Sequence, residues 1–238
     1  MTASRALRRL ASRAIGGLRR LTGQRADIDY RRWYSTWNLQ RDYWTIVGPA
    51  TKEEYDRLGR VKLKLLIDLG LEPESRVLDV GCGTGQLAAA LEDFLGPCGL
   101  YAGTDISPEV IDFCRSRFSR PNFSFHVSEM TKLPALPERF DFIAFFSVFT
   151  HTYPRETALL LQEASRLLAD DGIIFADVFT APLIDVYAGD RAAVEINPDH
   201  LMHLLADSGL QAELIDIQPR PRLGQRMFFR FTRKPWST

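Results

Sequence analysis

Val77-Leu-Asp-Val-Gly-Cys-Gly-Thr-Gly-Gln86 is the stretch of sequence that decides the fold of this chain. Its apolar first half is typical of a buried strand. Glycines then occupy positions 81, 83 and 85, and residues 86–91 suit a helix. Glycine reaches positive φ and has no Cβ to keep a ligand away from the backbone. The stretch therefore predicts a strand, a glycine turn, and a helix whose free N–H groups face a ligand.

The spacing of the glycines separates the classes of nucleotide site. A dinucleotide fingerprint needs a glycine at position 86, where this chain has Gln86. The loop also lacks the Gly-Lys-Ser/Thr ending of a phosphate-binding P-loop. What remains is an acid, Asp79, two residues before the first glycine.

Composition limits the other possibilities. A chain of 238 residues with no net charge is long enough for one α/β domain. Its first 25 residues hold seven arginines and no acid, so the remainder carries a charge of −7. An acidic body argues against nucleic acid as a partner, because nucleic-acid-binding proteins usually present a basic face. Three cysteines without a Cys-x-x-Cys pair are typical of reduced thiols, which favours a cytoplasmic location.

The N-terminal residues 1–25 form a basic extension. Within them, leucines and alanines of residues 3–21 recur at helical spacing among the arginines. Three interpretations remain open: a solvated extension, a helix at an anionic membrane surface, and a targeting presequence.

Residues 26–70 are interpreted as an aromatic lid and a lead-in helix. Three of the four tryptophans lie between Tyr30 and Trp44, and residues 52–69 have an apolar helical stripe. The rings either pack this segment onto the main domain or cover a cationic ligand and exclude water, with Tyr30 as the candidate contact.

Residues 71–238 are expected to form the main domain. Six further strands are predicted after the first, at residues 100–104, 122–127, 140–146, 173–179, 212–217 and 227–233. Helical stretches alternate with the strands as far as residue 209, which predicts a doubly wound, mostly parallel seven-stranded sheet in an α/β fold. Residues 180–196 show no clear period and are expected to form a long loop on the substrate side.

Asp105 ends the second predicted strand, 20 residues beyond Gly85. This is close to the spacing at which an acid accepts hydrogen bonds from the ribose hydroxyls of a nucleotide. A helix cap is the alternative, but residues 107–109, Ser-Pro-Glu, already supply a cap and an N1 proline.

The sequence Asp79-Val-Gly-Cys-Gly-Thr-Gly85 resembles motif I of the class I S-adenosylmethionine (SAM)-dependent methyltransferases, and the resemblance extends from about Tyr55 to Lys234. It implies SAM as the cofactor and a reversed C-terminal hairpin at the sheet edge. It also implies that the glycines admit the amino-acid part of SAM, that Asp79 orients the loop and that Asp105 holds the ribose. The implied cofactor-binding residues are Asp79, Gly81, Cys82, Gly83, Gly85, Asp105, Ile106, Glu129, Met130 and Ser147. For Glu129 and Met130, which are implied to contact the adenine, a solvated carboxylate and a core methionine are the alternatives.

The loop at residues 147–153 is expected to meet the methyl acceptor, since ligands of open α/β sheets lie beyond the carboxyl ends of the strands. It lacks the Asn/Asp-Pro-Pro-Tyr/Phe motif of amino-group methyltransferases, and no acidic set suggests a metal. His151 is the candidate general base, because an imidazole takes up a proton near neutral pH. A structural histidine is the alternative.

The sequence thus predicts a SAM-dependent methyltransferase for the hydroxyl of a small molecule, of sugar, lipid-linked or natural-product type. It predicts a cytoplasmic protein, with residues 3–21 as a candidate contact to a membrane surface. An NAD-dependent oxidoreductase and a non-catalytic SAM-binding protein are the alternatives.

Overall fold

A computed structural model describes residues 34–181, 186–187, 194–205, 208–220 and 223–234. The helices in these ranges are α1 (Leu39–Ile46), α2 (Lys52–Asp68), α3 (Gln86–Leu91), α4 (Pro108–Arg117), α5 (Pro154–Leu167) and α6 (Pro198–Leu205). The strands are β1 (Arg76–Val80), β2 (Leu100–Asp105), β3 (Phe123–Val127), β4 (Phe140–Phe145), β5 (Leu168–Thr180), β6 (Val186–Tyr187), β7 (Val194–Ile196), β8 (Leu210–Arg220) and β9 (Leu223–Arg233).

One sheet contains all of these strands. Its parallel part runs in the order β3-β2-β1-β4-β5, and β9 pairs antiparallel with β5 and with β8. The chain order reverses between β1 and β4, so the loops after these strands diverge and leave a crevice at their carboxyl ends.

The helices cover both faces of the sheet. Successive residues of β4 alternate between the two core clusters: Ile143 lies with α5 and α6, and Phe142 lies with α2, α3 and α4. Because side chains alternate across a strand, a central strand apolar on both faces must be covered on both. The architecture is the doubly wound α/β fold that the sequence predicts.

All seven predicted strands are confirmed, and the C-terminal pair forms the expected hairpin. The prediction for residues 180–196 was wrong where they are described, since β6 and β7 lie there. β7 pairs with the last two residues of β5, whose other edge pairs with β9. These strands are only two and three residues long, too short to give a sequence period.

β5 also begins earlier than expected. Leu168 pairs with Phe140, and the next pair is Ile173 with Phe142, so residues 169–172 bulge out opposite a single residue of β4. Residues 170–172, Asp-Asp-Gly, therefore lie in an insertion within the strand.

The basic extension and Tyr30 lie outside the described residues. Among the helices that the structure describes, none is long and apolar enough to cross a membrane.

Gly59 permits the close approach of α2 to α3. A Cβ built on Gly59 would lie 2.6 Å from the carbonyl oxygen of Gln86. We expect Gly59→Ala to lower the free energy of unfolding by about 1–3 kcal/mol, because the helices must move apart. Gly96→Ala is the control, since the nearest atom to its Cβ would be 3.6 Å away. Urea unfolding measures both, and equal stability of the two variants would contradict this packing.

Candidate functional site

A cavity of about 770 Å³ opens at the carboxyl ends of β1, β2 and β4. Its volume lies within the range of about 300–1,000 Å³ that is usual for small-molecule sites. The lining combines the turn after α1, one face of α2, the loops after β1 to β4, and the start of β9. The sequence-predicted residues that line it are Gly81, Cys82, Gly83, Asp105, Ile106, Glu129, Met130, Ser147 and His151.

The glycine loop forms the floor beside β1. Gly81 and Gly83 have φ of +69° and +53°, a region that favours glycine. A Cβ on Gly81 would lie 2.6 Å from Cγ2 of Val148, and one on Gly83 would lie 2.9 Å from Cγ1 of Val47. Side chains here would therefore fill the narrow part of the cavity.

Gly85 lies at the start of α3 and not, like Gly81 and Gly83, in the cavity wall. Gly85, with φ of +80°, is the N-cap of α3, and a Cβ there would lie 2.4 Å from the ring of Phe118. Gly85 and Asp79, both in the described part of the chain, are not among the residues that line the cavity. Gly85 shapes the turn, and a contact of its own with a ligand stays a prediction.

Asp105 is buried and holds the glycine loop against the loop after β2. Its carboxylate accepts from the backbone N–H of Gly83 at 3.1 Å and of Ser107 at 3.0 Å. Ser107 itself caps α4 through the N–H of Val110, so Asp105 is not the cap. Burial raises the pKa of Asp105 to about 6, although the backbone N–H groups favour the charged form.

Asp79 lies behind the loop. Its carboxylate accepts from the hydroxyl of Tyr101 at 2.9 Å. Burial raises the pKa of Asp79 to about 6, while the charge of Lys62 and the Tyr101 bond act in the opposite direction. The role of Asp79 in orienting the loop stays a prediction.

The raised pKa of Asp79 predicts a pH-dependent stability. Between its ordinary value of 3.8 and about 6 the folded chain binds more protons than the unfolded chain, so this carboxyl lowers stability as the pH rises through that range. Asn keeps an acceptor for Tyr101 but cannot ionise. We expect the stability of Asp79→Asn relative to wild type to increase by up to about 3 kcal/mol between pH 4 and pH 7. Urea unfolding at both pH values measures this difference, and a constant difference would contradict it.

The loop after β3 brings two predicted adenine contacts to the cavity. Glu129 is exposed and Met130 is half-buried, and the backbone N–H of Glu129 donates to the carbonyl of Lys132 at 3.1 Å. Ile106, half-buried after β2, also lines the cavity. The exposure of Glu129 is compatible with a solvated carboxylate as well as with a ligand contact.

Ser147 is held in a strained conformation after β4. It has φ of +61°, the only positive φ of a residue other than glycine among those described. The carboxylate of Asp177, which is fully buried, accepts from the Ser147 N–H at 2.7 Å and from Nε of Arg226 at 2.9 Å. Arg226 also donates to Oγ of Ser147 at 3.0 Å. These bonds fix the strained turn beside the cavity.

His151 follows in the same loop and lines the cavity. Its backbone N–H donates to the carbonyl of Val148 at 2.9 Å, and its side chain is half-buried. The neighbouring Thr150 is anchored by a bond from its hydroxyl to the carbonyl of Ser147, at 2.8 Å. The structure thus brings His151 to the same cavity as the glycine loop, and its role as a base stays a prediction.

The sequence did not identify Lys62 and Arg226 as site residues, and both line the cavity. Lys62 comes from α2 and Arg226 from β9, and no local motif marks either. A lysine on the inward stripe of an amphipathic helix, next to Val61 and Leu65, was the one available signal for Lys62.

The described part of the aromatic segment contributes both to packing and to the cavity wall. The ring of Tyr43 packs on Tyr55 at 5.2 Å and on Phe113 at 5.6 Å between centroids. Tyr34 and the turn at residues 46–49 line the cavity. Packing therefore explains Tyr43, and a lid role for the segment stays a prediction.

Comparisons with known proteins place this geometry in a family. A family model described as a methyltransferase domain matches residues 77–172. The chain is similar to a probable phthiotriol/phenolphthiotriol dimycocerosates methyltransferase of Mycobacterium ulcerans, with 36% identity over 104 residues that cover 43% of this chain and 39% of that protein. It is also similar to a fatty-acid O-methyltransferase of Mycolicibacterium smegmatis, with 28% identity over 68% of this chain and 57% of that protein. The chain thus spans less than two thirds of the length of these relatives.

A solved structure shows the same fold. Magnesium protoporphyrin IX methyltransferase from Synechocystis PCC 6803, with bound S-adenosylhomocysteine (SAH), superposes with a TM-score of 0.59 over 86% of this chain and 98% of that chain, at 16% identity. Residues 77–172 thus match a methyltransferase domain, and the structure has the fold that the sequence predicts for a class I SAM-dependent methyltransferase.

Proposed function

We propose that this chain transfers a methyl group from SAM to a hydroxyl group of a small molecule, of sugar, lipid-linked or natural-product type. The observation that carries the proposal is the shared cavity, which is lined by the predicted cofactor residues Gly81, Gly83, Asp105 and Ser147 and by the predicted base His151. The predicted cofactor residues and the predicted base thus open into the same space.

The predicted cofactor residues of the glycine loop and of the loop after β2 fit SAM. The glycine backbone is open where a Cβ would fill the cavity, and the buried carboxylate of Asp105 lines it. Gly81, Cys82 and Gly83 would hold the amino-acid part, Asp105 and Ile106 the ribose, and Glu129 and Met130 the adenine. When bound, SAM supplies an activated methyl group.

The task of the chain is then to position the acceptor, because alignment of the reacting atoms can lower the barrier of such a transfer by several kcal/mol. The loop after β4 would carry out this task. Asp177 and Arg226 hold Ser147 in place, and His151 would accept the hydroxyl proton.

The relatives support a small-molecule acceptor without deciding its chemistry. Their names include a dimycocerosate methyltransferase, a fatty-acid O-methyltransferase and a decarboxylating C-methyltransferase. The hydroxyl acceptor rests on His151 and on the lack, in the loop at residues 147–153, of an amino-group methyltransferase motif.

Transfer of a tritiated methyl group tests the proposal. The purified chain is incubated with methyl-labelled SAM and fractionated extracts of small molecules. We expect label in a base-stable product, as for an ether. Label in a base-labile ester or on an amine would overturn the hydroxyl acceptor. Binding of SAH without transfer to any fraction would favour the non-catalytic alternative.

A further inference from the structure

The cavity lining carries charges of both signs. Asp105 and Glu129 come from the ends of β2 and β3, whereas Lys62 and Arg226 contact Phe146 and Ser147, directly after β4. Both acids are cofactor residues of the proposed function. Both cations lie beside the loop after β4, where the acceptor is expected.

Lys62 is an unusual residue for such a wall. It is half-buried on α2, and its ammonium lies 5.0 Å from the ring centroid of Phe146. Within the described ranges, Lys62 makes neither a hydrogen bond nor an ion pair with any side chain. Burial lowers the pKa of Lys62, the charges of Asp79 and Asp177 act in the opposite direction, and the charge of Arg226 lowers it further. An anion in the cavity would stabilise the charged form.

The counter-charges of both cations lie behind the wall. Asp177 is fully buried and pairs with Arg226 through Nε at 2.9 Å and through a terminal nitrogen at 2.8 Å. Asp79 is buried behind the glycine loop. Neither carboxylate is among the cavity-lining residues, whereas both cations are. A ligand in the cavity therefore meets positive charge first.

Aromatic rings lie beside both cations. Phe146 and Phe228 line the cavity, and both pack on Phe175, at 4.7 Å and 6.1 Å between centroids. Arg226 lies 5.1 Å from the Phe228 ring, which helps to orient its guanidinium. The surface suits a flat or apolar body that carries one negative group.

We propose that the methyl acceptor carries a carboxylate, separate from the hydroxyl that is methylated, and that Lys62 and Arg226 bind it. This rests on the proposed function, since it assigns the acceptor half of that site. An ammonium and the free edge of a guanidinium suit the two oxygens of a carboxylate. Binding would supply Lys62 with the ion-pair partner that it lacks among the described residues.

Matched probes test this proposal. Titration calorimetry at saturating SAH compares 4-hydroxybenzoate with 4-hydroxybenzamide, which share ring and hydroxyl and differ in charge. We expect the acid to bind at least about tenfold more tightly, as one charge-assisted contact allows. In Lys62→Gln the preference should fall to less than about twofold, with SAH affinity preserved. Lys64→Gln is the control, because Lys64 is exposed on the same helix and pairs with Asp68 at 2.6 Å.

The outcomes separate this inference from the proposed function. Equal binding of acid and amide, or binding of neither at saturating SAH, would overturn the carboxylate. A Lys62→Gln variant that keeps the preference but loses SAH would also overturn it, because Lys62 would then serve the cofactor. Failure of the wild-type chain to bind SAH at all would instead refute the proposed function. Thermal unfolding of Lys62→Gln verifies that the variant is folded.

Discussion

His151→Ala should lower the turnover number for methyl transfer by about 100-fold to 10,000-fold, the range that a positioned general base contributes. His151 lines the cavity in the loop that the Asp177 network fixes, so its removal takes away the proton acceptor and leaves the cofactor side intact. The affinity for SAH should change by less than about threefold. The rate is measured with the acceptor identified by methyl labelling, at saturating SAM.

His203→Ala is the control for this experiment. His203 is exposed on α6 and is not among the cavity-lining residues. We expect its turnover to equal that of wild type. If His151→Ala also retains full turnover, His151 is a structural residue of the loop and another group or water takes the proton.

Asp105→Ala should weaken SAH binding by at least about 100-fold. The variant loses a carboxylate that would accept from the ribose hydroxyls, and a hydrogen bond to a charged group contributes about 1.5–3 kcal/mol. It also leaves the N–H groups of Gly83 and Ser107 without their acceptor, which disturbs the loop. Titration calorimetry measures the affinity.

Two further variants make the Asp105 result interpretable. Asp105→Asn keeps the shape and one acceptor oxygen, so it should fold and show an intermediate loss. Asp112→Ala removes an exposed carboxylate of α4 that pairs with Arg115, and it should bind SAH normally. Wild-type affinity in a folded Asp105→Ala protein would show that Asp105 only braces the loop.

The cofactor side could be predicted from the sequence because its signals are local. Positive φ at Gly81 and Gly83 follows from a chain that reverses directly after a buried strand, and Asp105 ends the next strand at a spacing set by the βαβ unit. The sheet was predictable for the same reason, since each strand carries its own apolar run.

The acceptor side could be predicted only in part. The loop at residues 147–153, with Ser147 and His151, follows a predicted strand. Lys62, Asp177 and Arg226 come from three elements that are far apart in the sequence, and only the fold brings them together. Asp177 pairs with Arg226 because β5 and β9 are adjacent and antiparallel in the sheet. The positions of the two residues in the sequence give no indication of this pairing. β7 was missed because three residues carry no period.

Thermal unfolding with SAM, SAH and NADH tests the central claim, that this cavity binds SAM, most directly. A ligand at about a hundred times its dissociation constant stabilises a protein by roughly 2.7 kcal/mol. For a domain of this size, that corresponds to a rise in the midpoint on the order of 5–10 °C. We expect this rise with SAM and with SAH, no rise with NADH, and loss of the effect in Asp105→Ala. No rise with either adenosyl ligand, or a rise with NADH alone, would contradict the cofactor site.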